Sequence, residues 1–320
     1  MSLANASGAP SYSDSPSGTR TFIPEVWSGK LIEKFYDATV LAAISNTDYE
    51  GEIKKFGDKV KIRTVPTAAI RDYTRNTDIS YDMPDGDVID LEIDKGKYYA
   101  AQIDDVSAYQ QDVKVMDKWA TDASEQMKIA IDTDVLAATY TQVDSHNKGA
   151  TAGRIASNLN MGTSAAPRSV SSTTILDAIV DAGQVLDEQN IPEQGRFLIV
   201  PAWALSRIKK SDLKDASLTG DGQSILRNGR VGMIDRFTLY LSNLLPSATV
   251  NLGTSGAPNN VKAFHLLAGH KNGLTFASQM TEMEKLRLEK RFADAVRGLQ
   301  VYGYKVIDPT CLVDLYAYAA

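Results

Sequence analysis

The chain holds a single cysteine and three histidines among 320 residues. One thiol excludes an internal disulfide, so packing, hydrogen bonds or contacts between copies must hold the fold. Cys311 stands beside Leu312 and Val313 and reads as a small buried side chain rather than a reactive thiol. His265 and His270 are spaced for neither one helix face nor one strand face, and His146 is distant, so no metal site is expected. A basic surplus is also missing. Lys and Arg number 34 against 40 Asp and Glu, a net charge of -6, which removes the global electrostatic case for gripping nucleic acid. No apolar run approaches the roughly 18 residues that span a bilayer, and the N-terminus lacks the basic and apolar blocks of a secretory signal. Residence in a cytoplasm is the expectation.

Chemical signatures are equally sparse. There is no Gly-rich phosphate loop, no GxSxG elbow and no HExxH zinc motif, and one cysteine cannot make a CxxC pair. Ser206-Arg207-Ile208-Lys209 matches SxxK formally but has no SDN or KTG companion. The run Asp82-Met83-Pro84-Asp85-Gly86-Asp87 departs from EF-hand spacing and reads as a solvated turn. Carboxylates such as Asp104 and Asp105 offer a glycosidase-like pair on paper, but 40 acidic residues make such pairs by chance. Asn5-Ala6-Ser7 fits a glycosylation acceptor without the secretory context that would give it meaning. No catalytic residue, cofactor or metal ligand is assigned, and the chain is not expected to be an enzyme.

What is present is an ordinary globular balance, 43% hydrophobic and 23% charged, in a chain long enough to divide into two or three sub-domains. Residues 1 to 20 are rich in Ser, Gly, Ala and Pro and read as a flexible arm. Pro24 opens a helical stretch to about residue 45, with Trp27, Leu31, Phe35, Ala38 and Ala42 at helical spacing. Two strands with complementary charge follow. Lys59-Val60-Lys61-Ile62-Arg63 alternates basic and apolar, and Ile89-Asp90-Leu91-Glu92-Ile93-Asp94 alternates apolar and acidic. Antiparallel pairing would set Lys59, Lys61 and Arg63 against Asp90, Glu92 and Asp94, leaving Val60, Ile62, Ile89, Leu91 and Ile93 on the other face.

Residues 66 to 87 between these strands are too many for an ordinary hairpin turn and read as a projecting arm that carries Ile70, Tyr73, Ile79, Tyr81 and Met83. A two-stranded ribbon is marginal in water unless its apolar side is covered. Two covers stay open: a neighbouring subunit, or the chain's own domain. Residues 111 to 142 contain no Pro or Gly, and Met116, Trp119, Ala123, Met127 and Ala130 make a helical core stripe. A Gly, Ala, Asn and Ser-rich patch from His146 to Val170 marks a boundary. Beyond it the pattern predicts helix over 173–189, strand over 197–200, helix over 201–210, a polar loop over 211–229 and strand over 237–241. Further strands are predicted over 261–267, 273–289, 296–307 and 312–318, with no fixed repeat.

This order of parts resembles the tailed-bacteriophage major capsid proteins. The sequence echoes are Phe22-Ile23-Pro24-Glu25-Val26-Trp27, Leu198-Ile199-Val200-Pro201, Tyr240-Leu241-Ser242-Asn243-Leu244-Leu245-Pro246, and Val296-Arg297-Gly298-Leu299-Gln300-Val301-Tyr302-Gly303. None is a catalytic motif, and the order and spacing of parts that they mark cover about residues 22 to 315. The resemblance implies an α+β fold of the Hong Kong 97 capsid type. It divides the chain into an N-terminal arm (1–23), an N-terminal helix (24–49) and an extended hairpin loop (50–105). A peripheral domain (106–164 and 274–308) carries the spine helix, and an axial domain takes 165–273 and 309–320.

The same resemblance implies hexamers and pentamers tiling an icosahedral shell around double-stranded DNA held without sequence-specific binding, in a virion assembled in the host cytoplasm. A mildly acidic subunit suits such a shell. A separate scaffolding protein and a portal are the implied partners, with scope for a decoration protein and no role for a membrane. Some family members weld neighbours through a lysine on the extended loop, whereas residues 66–87 contain Arg71 and Arg75 and no lysine, so no such cross-link is expected. Lys59, Lys61, Arg63, Asp90, Glu92 and Asp94 are the expected residues that fix the loop, with Arg71 and Arg75 at its reaching end as forks for a neighbour's carboxylates. Rival readings are an encapsulin-type compartment of the same fold, a soluble hydrolase with an acidic pair, and a binding module with an exposed ribbon.

Overall fold

The computed structural model describes residues 37, 39–48, 59–63, 66, 68–76, 78–79, 81–83, 86, 88–104, 115–211, 232–253, 259–289 and 292–320. The N-terminal arm, most of the helix expected over 24–45, the start of the helix expected over 111–142 and the polar loop expected over 211–229 lie outside the described residues. The first described helix, α1, covers Leu41–Ile44. Strands β1 (Lys59–Arg63) and β2 (Val88–Glu92) form a two-stranded ribbon.

Strand β3 (Lys95–Asp104) follows at once and joins a different sheet. This ten-residue strand lies within the stretch assigned to the extended loop, so the chain leaves the ribbon after Glu92. Lys95-Gly96-Lys97-Tyr98-Tyr99-Ala100-Ala101 has no clean alternation and three low-propensity residue types, Lys, Gly and Ala, which is why the pattern did not reveal it. Partners supply the strand: β3 pairs with β11 (Ala293–Val306), and β11 pairs with β10 (Leu274–Arg287), all antiparallel.

Helix α2 (Val115–Thr139) packs against β3 and β11 of this three-stranded sheet. Its buried face lies in its C-terminal half, where Ile131, Val135 and Leu136 enter a core with Ile44, Leu274, Tyr302 and Leu312. The expected stripe placed the core too early, for Trp119 and Ala123 are only half-buried. The helix is fastened by two carboxylates. Asp132 is buried and accepts from the Val40 and Leu41 N–H groups at 2.6 and 3.3 Å, which ties α1 to α2. Burial pushes its pKa up, with those two hydrogen bonds opposing. Asp134 accepts from the Tyr302 hydroxyl at 2.9 Å, and burial followed by this bond raises the Tyr302 pKa.

The second unit is a larger mixed sheet in the order β4 (Arg168–Val170), β12 (Leu312–Ala319), β9 (Asn260–His270), β5 (Arg196–Val200), β7 (Phe237–Leu241), β6 (Met233–Ile234), with β8 (Ser247–Asn251) also on β9. The β4–β12 and β5–β7 pairs are parallel and the others antiparallel. Every residue of β5 is buried, as a central strand with both faces covered requires. Helix α3 (Ile175–Glu188) covers one face with Ile175, Ala178, Ile179, Ala182, Val185 and Leu186, and α4 (Ala202–Lys210) adds Ala204 and Ile208. Phe197, Ile199, Leu267 and Leu312 on the opposite face belong to the core shared with α1 and α2. Gly162 has φ +86 and lies against the Tyr316 carbonyl, where a side chain would meet backbone, so only glycine lets this loop close onto β12.

Candidate assembly surface

The ribbon pairs antiparallel in one register, Lys59 opposite Glu92, Val60 opposite Leu91, Lys61 opposite Asp90, Ile62 opposite Ile89 and Arg63 opposite Val88. The charge ladder is therefore shorter than its sequence promises. Lys59 Nζ reaches Glu92 Oε1 at 2.6 Å, and Lys61 faces Asp90. Arg63 faces an apolar residue, and Asp94 lies past the end of β2, because its antiparallel partner would be residue 57 rather than 63. Exposed pairs of this kind contribute about 0.2–1 kcal/mol each, so they select register more than they stabilise it. Asp90, Glu92 and Asp94, together with Lys95, Tyr304 and Lys305, line an open cleft of about 740 Å³.

The opposite side of the ribbon answers the question of its cover. Ile62, Leu91 and Ile93 form a small core with Ala277 of β10, joined by Val60, Ile89, Val301 and Ile307. The ribbon base thus folds onto its own chain. Gly303 permits the approach: a Cβ there would fall inside contact distance of the Glu92 carbonyl oxygen and 3.0 Å from the Ile93 Cα.

The loop beyond the base is different. Ile70 is 93% exposed, Tyr81 89% and Met83 97%, with Tyr73 and Ile79 also exposed. The loop thus gathers five exposed large apolar side chains, while the base buries Ile62, Leu91 and Ile93. Arg71 Nη2 pairs with Asp82 Oδ1 at 2.7 Å across the loop, both about half exposed. Arg71, expected as a fork for a neighbour, thus spends a nitrogen on its own loop. Arg75 has no ion-pair partner among the described residues, and the next residue, Asn76, turns the chain with φ +68.

Sequence reasoning missed a second polar cluster. Arg196 opens β5 with its side chain fully buried, donating to the Asp187 carboxylate at 2.7 Å and to the Pro192 and Ile191 carbonyls. Arg236, in the turn between β6 and β7, reaches Asp187 and Glu193 at 2.8 Å each. Burial works to raise the Asp187 pKa, but the bonds from both guanidinium groups hold it below the ordinary value. This network ties the end of α3 to the edge of the large sheet. No sequence signal joins residues 187, 193, 196 and 236, since only the fold brings them together.

The other polar candidates have local partners. His270 Nε2 lies 2.9 Å from the Gln194 carbonyl, and His265 is bound to Asp314. Among the described residues no cluster of three or more His, Cys, Asp or Glu side chains could hold a metal ion. Cys311 is buried with Sγ 3.3 Å from Asp308, and burial followed by the Asp308 charge pushes the thiol up to about 12.

A family model described as phage capsid protein matches residues 88–315. Among solved structures, the chain is similar to one from Mycobacterium phage Che8 at 25% identity and TM-score 0.73, covering 92% of this chain and 97% of that one. It is similar to a capsid chain of the cyanophage P-SCSP1u at 16% identity and TM-score 0.70, covering 93% of each. A capsid chain of a native GTA particle aligns at 13% identity and TM-score 0.64 over 95% of this chain and 98% of that one. No curated protein matches the sequence.

Proposed function

The chain belongs to the phage capsid protein family, and from that premise we propose that it builds its shell by laying the loop of residues 66–86 onto a neighbouring copy. It is a structural capsid protein with an α+β fold of the Hong Kong 97 type, and its place is the virion capsid. Self-association into a capsid accords with the similar chains, which come from phage and GTA capsids.

The observation that carries the loop reading is the contrast along the ribbon. Its base seals Ile62, Leu91 and Ile93 against its own chain, whereas Ile70, Tyr81 and Met83 project bare. On this reading the peripheral domain comprises 106–164 and 274–308, and the axial domain comprises 165–273 and 309–320. Lys59, Lys61, Asp90 and Glu92 set the ribbon's register, Arg63 and Asp94 act outside that ladder, and Arg71 and Arg75 serve the reaching end. The shell encloses double-stranded DNA by volume rather than by sequence, and assembles in the host cytoplasm with a separate scaffold and a portal.

The test is assembly itself, followed by light scattering and negative-stain imaging of the purified chain at raised concentration and salt, where screening favours association of acidic subunits. Closed particles are expected from the wild type. An I70S/M83S variant should keep its circular dichroism and unfolding midpoint and lose particles. Normal particles from that variant would remove the loop from the mechanism.

A further inference from the structure

His265 stands on β9 opposite Tyr316 of β12, on the sheet face turned toward α2. Its ring lies 3.9 Å from the Tyr140 ring at 25° and 4.2 Å from the Tyr316 ring at 31°. Two rings at that spacing cannot share one face of an imidazole, so one tyrosine covers each. Nδ1 lies 2.8 and 3.0 Å from the two Asp314 carboxylate oxygens, and that side chain is only 8% exposed.

Tyr140 is the residue at which α2 passes into a 3-10 turn, Tyr140–Gln142. Shortly beyond, the buried Asn147 donates to the Thr310 and Leu312 carbonyls and accepts from Gln189. The imidazole therefore sits where the spine helix is joined to the large sheet.

Among the described residues, the titratable groups around it are few. Asp314 and Tyr316 face it from β12, Tyr140 faces it from the turn after α2, and Lys148 acts on Asp314 from the following loop. Strand β8, on the other side of β9, carries no titratable side chain. Burial, then the Asp314 charge, pushes the Tyr316 phenol up, so it stays neutral. Burial also raises the Asp314 pKa, with His265 opposing. A carboxylate at hydrogen-bond distance and two aromatic faces each make an attractive contact with the ring when it carries a proton on both nitrogens.

We propose that His265, Asp314 and Tyr140 form a proton-sensitive joint between the spine helix and the large sheet, tight when the imidazole is charged and looser when it is neutral. When Nε2 gives its proton to solvent, Nδ1–H still reaches Asp314, but the ion pair and the cation–π attraction are lost. The buried unit goes from neutral to negative, with Lys148 as its nearby offset. Tyr316 is held in the strand ladder, so the contact that weakens is the Tyr140 stack. The joint does not depend on the shell reading, and it is tested on the unassembled chain.

Hydrogen exchange of amides 139–148 in the full chain, followed from about pH 5.5 to about pH 8.5 and corrected for intrinsic exchange, reads the joint across the range where histidine titrates. Exchange should rise about three- to tenfold with pH, the size expected from losing a partly desolvated cation–π contact. Its midpoint should coincide with the titration of the His265 Cε1–H resonance, and amides of α3 should not respond. In Y140L the resonance should still titrate while the exchange response vanishes, and D314N should shrink the response. A corrected rate that ignores pH, or the wild-type response in both variants, would overturn the joint.

Discussion

Gly303 fastens the ribbon to the body of the subunit, and G303A should release it. The added methyl would meet the Glu92 carbonyl oxygen and lie 3.0 Å from the Ile93 Cα. Carbon atoms rest at about 3.5–4.0 Å, so the end of β2 would have to retreat by at least about half an ångström. Both obstacles are backbone, and no side-chain rotation can absorb the move. Retreat lifts Leu91 and Ile93, which are 0% and 8% exposed, away from Ala277. Overpacking of this kind costs about 1–3 kcal/mol, and full exposure of Leu91 would add about 1.5–3 kcal/mol, so the ribbon should detach locally before the whole subunit unfolds. Trypsin should then cleave after Lys61 and Arg63 faster than in the wild type, urea unfolding should show a loss of about 1–3 kcal/mol, and particle yield should fall. L299A, a half-exposed change on the same strand, should stay within about 0.5 kcal/mol. A G303A subunit with the wild-type unfolding midpoint and unchanged trypsin resistance would refute the reasoning.

Charge reversal in R71E should impair assembly and leave the subunit folded, because its exposed pair with Asp82 contributes about 0.2–1 kcal/mol. The R71E/D82R swap discriminates roles: recovery of particles means that Arg71 shapes its own loop, and continued failure means that it serves a neighbour. D132A, which strands the Val40 and Leu41 N–H groups, should cost about 1–3 kcal/mol in urea unfolding, whereas D132N keeps an acceptor and should cost less. The folded pKa of Asp187 lies below the ordinary value, so its stabilisation is present above the unfolded carboxylate pKa and fades as pH falls through the folded one. D187N should therefore flatten the acid limb of the stability profile, and an unchanged limb would remove Asp187 from it. Boiled denaturing gels of assembled particles should show monomer alone, since residues 66–87 offer no lysine, and a ladder of multimers would contradict this.

The fold was legible where one chemical pattern dictated one local structure. Alternation located β1 and β2, and the apolar face of α3 located that helix, because short strands and amphipathic helices carry their period in their own residues. It was illegible where partners impose the structure. Strand β3 exists because β11 offers a ladder, and the five-residue β8 lies along β9 for the same reason. The stripe of α2 misled for a related cause: Trp119 and Ala123 have the right spacing, but spacing does not say which turns of a long helix the rest of the subunit reaches.

The assembly surface divides along the same line. Complementary charge announced that β1 and β2 pair, yet pairing fixes one register, and in that register Arg63 meets Val88 and Asp94 meets nothing on β1. An alternating sequence encodes which face is charged, while the turn and the seat on the body decide how many charges match. The seat depends on Gly303, a residue whose contribution is the absence of a side chain, and absence has no period to read. A pattern can therefore find an exposed apolar loop, such as the one with Ile70, Tyr81 and Met83, because such residues are conspicuous in a polar stretch. The fastening parts, Gly303, Asp132, Arg196 and the His265–Asp314 pair, are set by distances between segments far apart in the chain, and only the folded geometry names them.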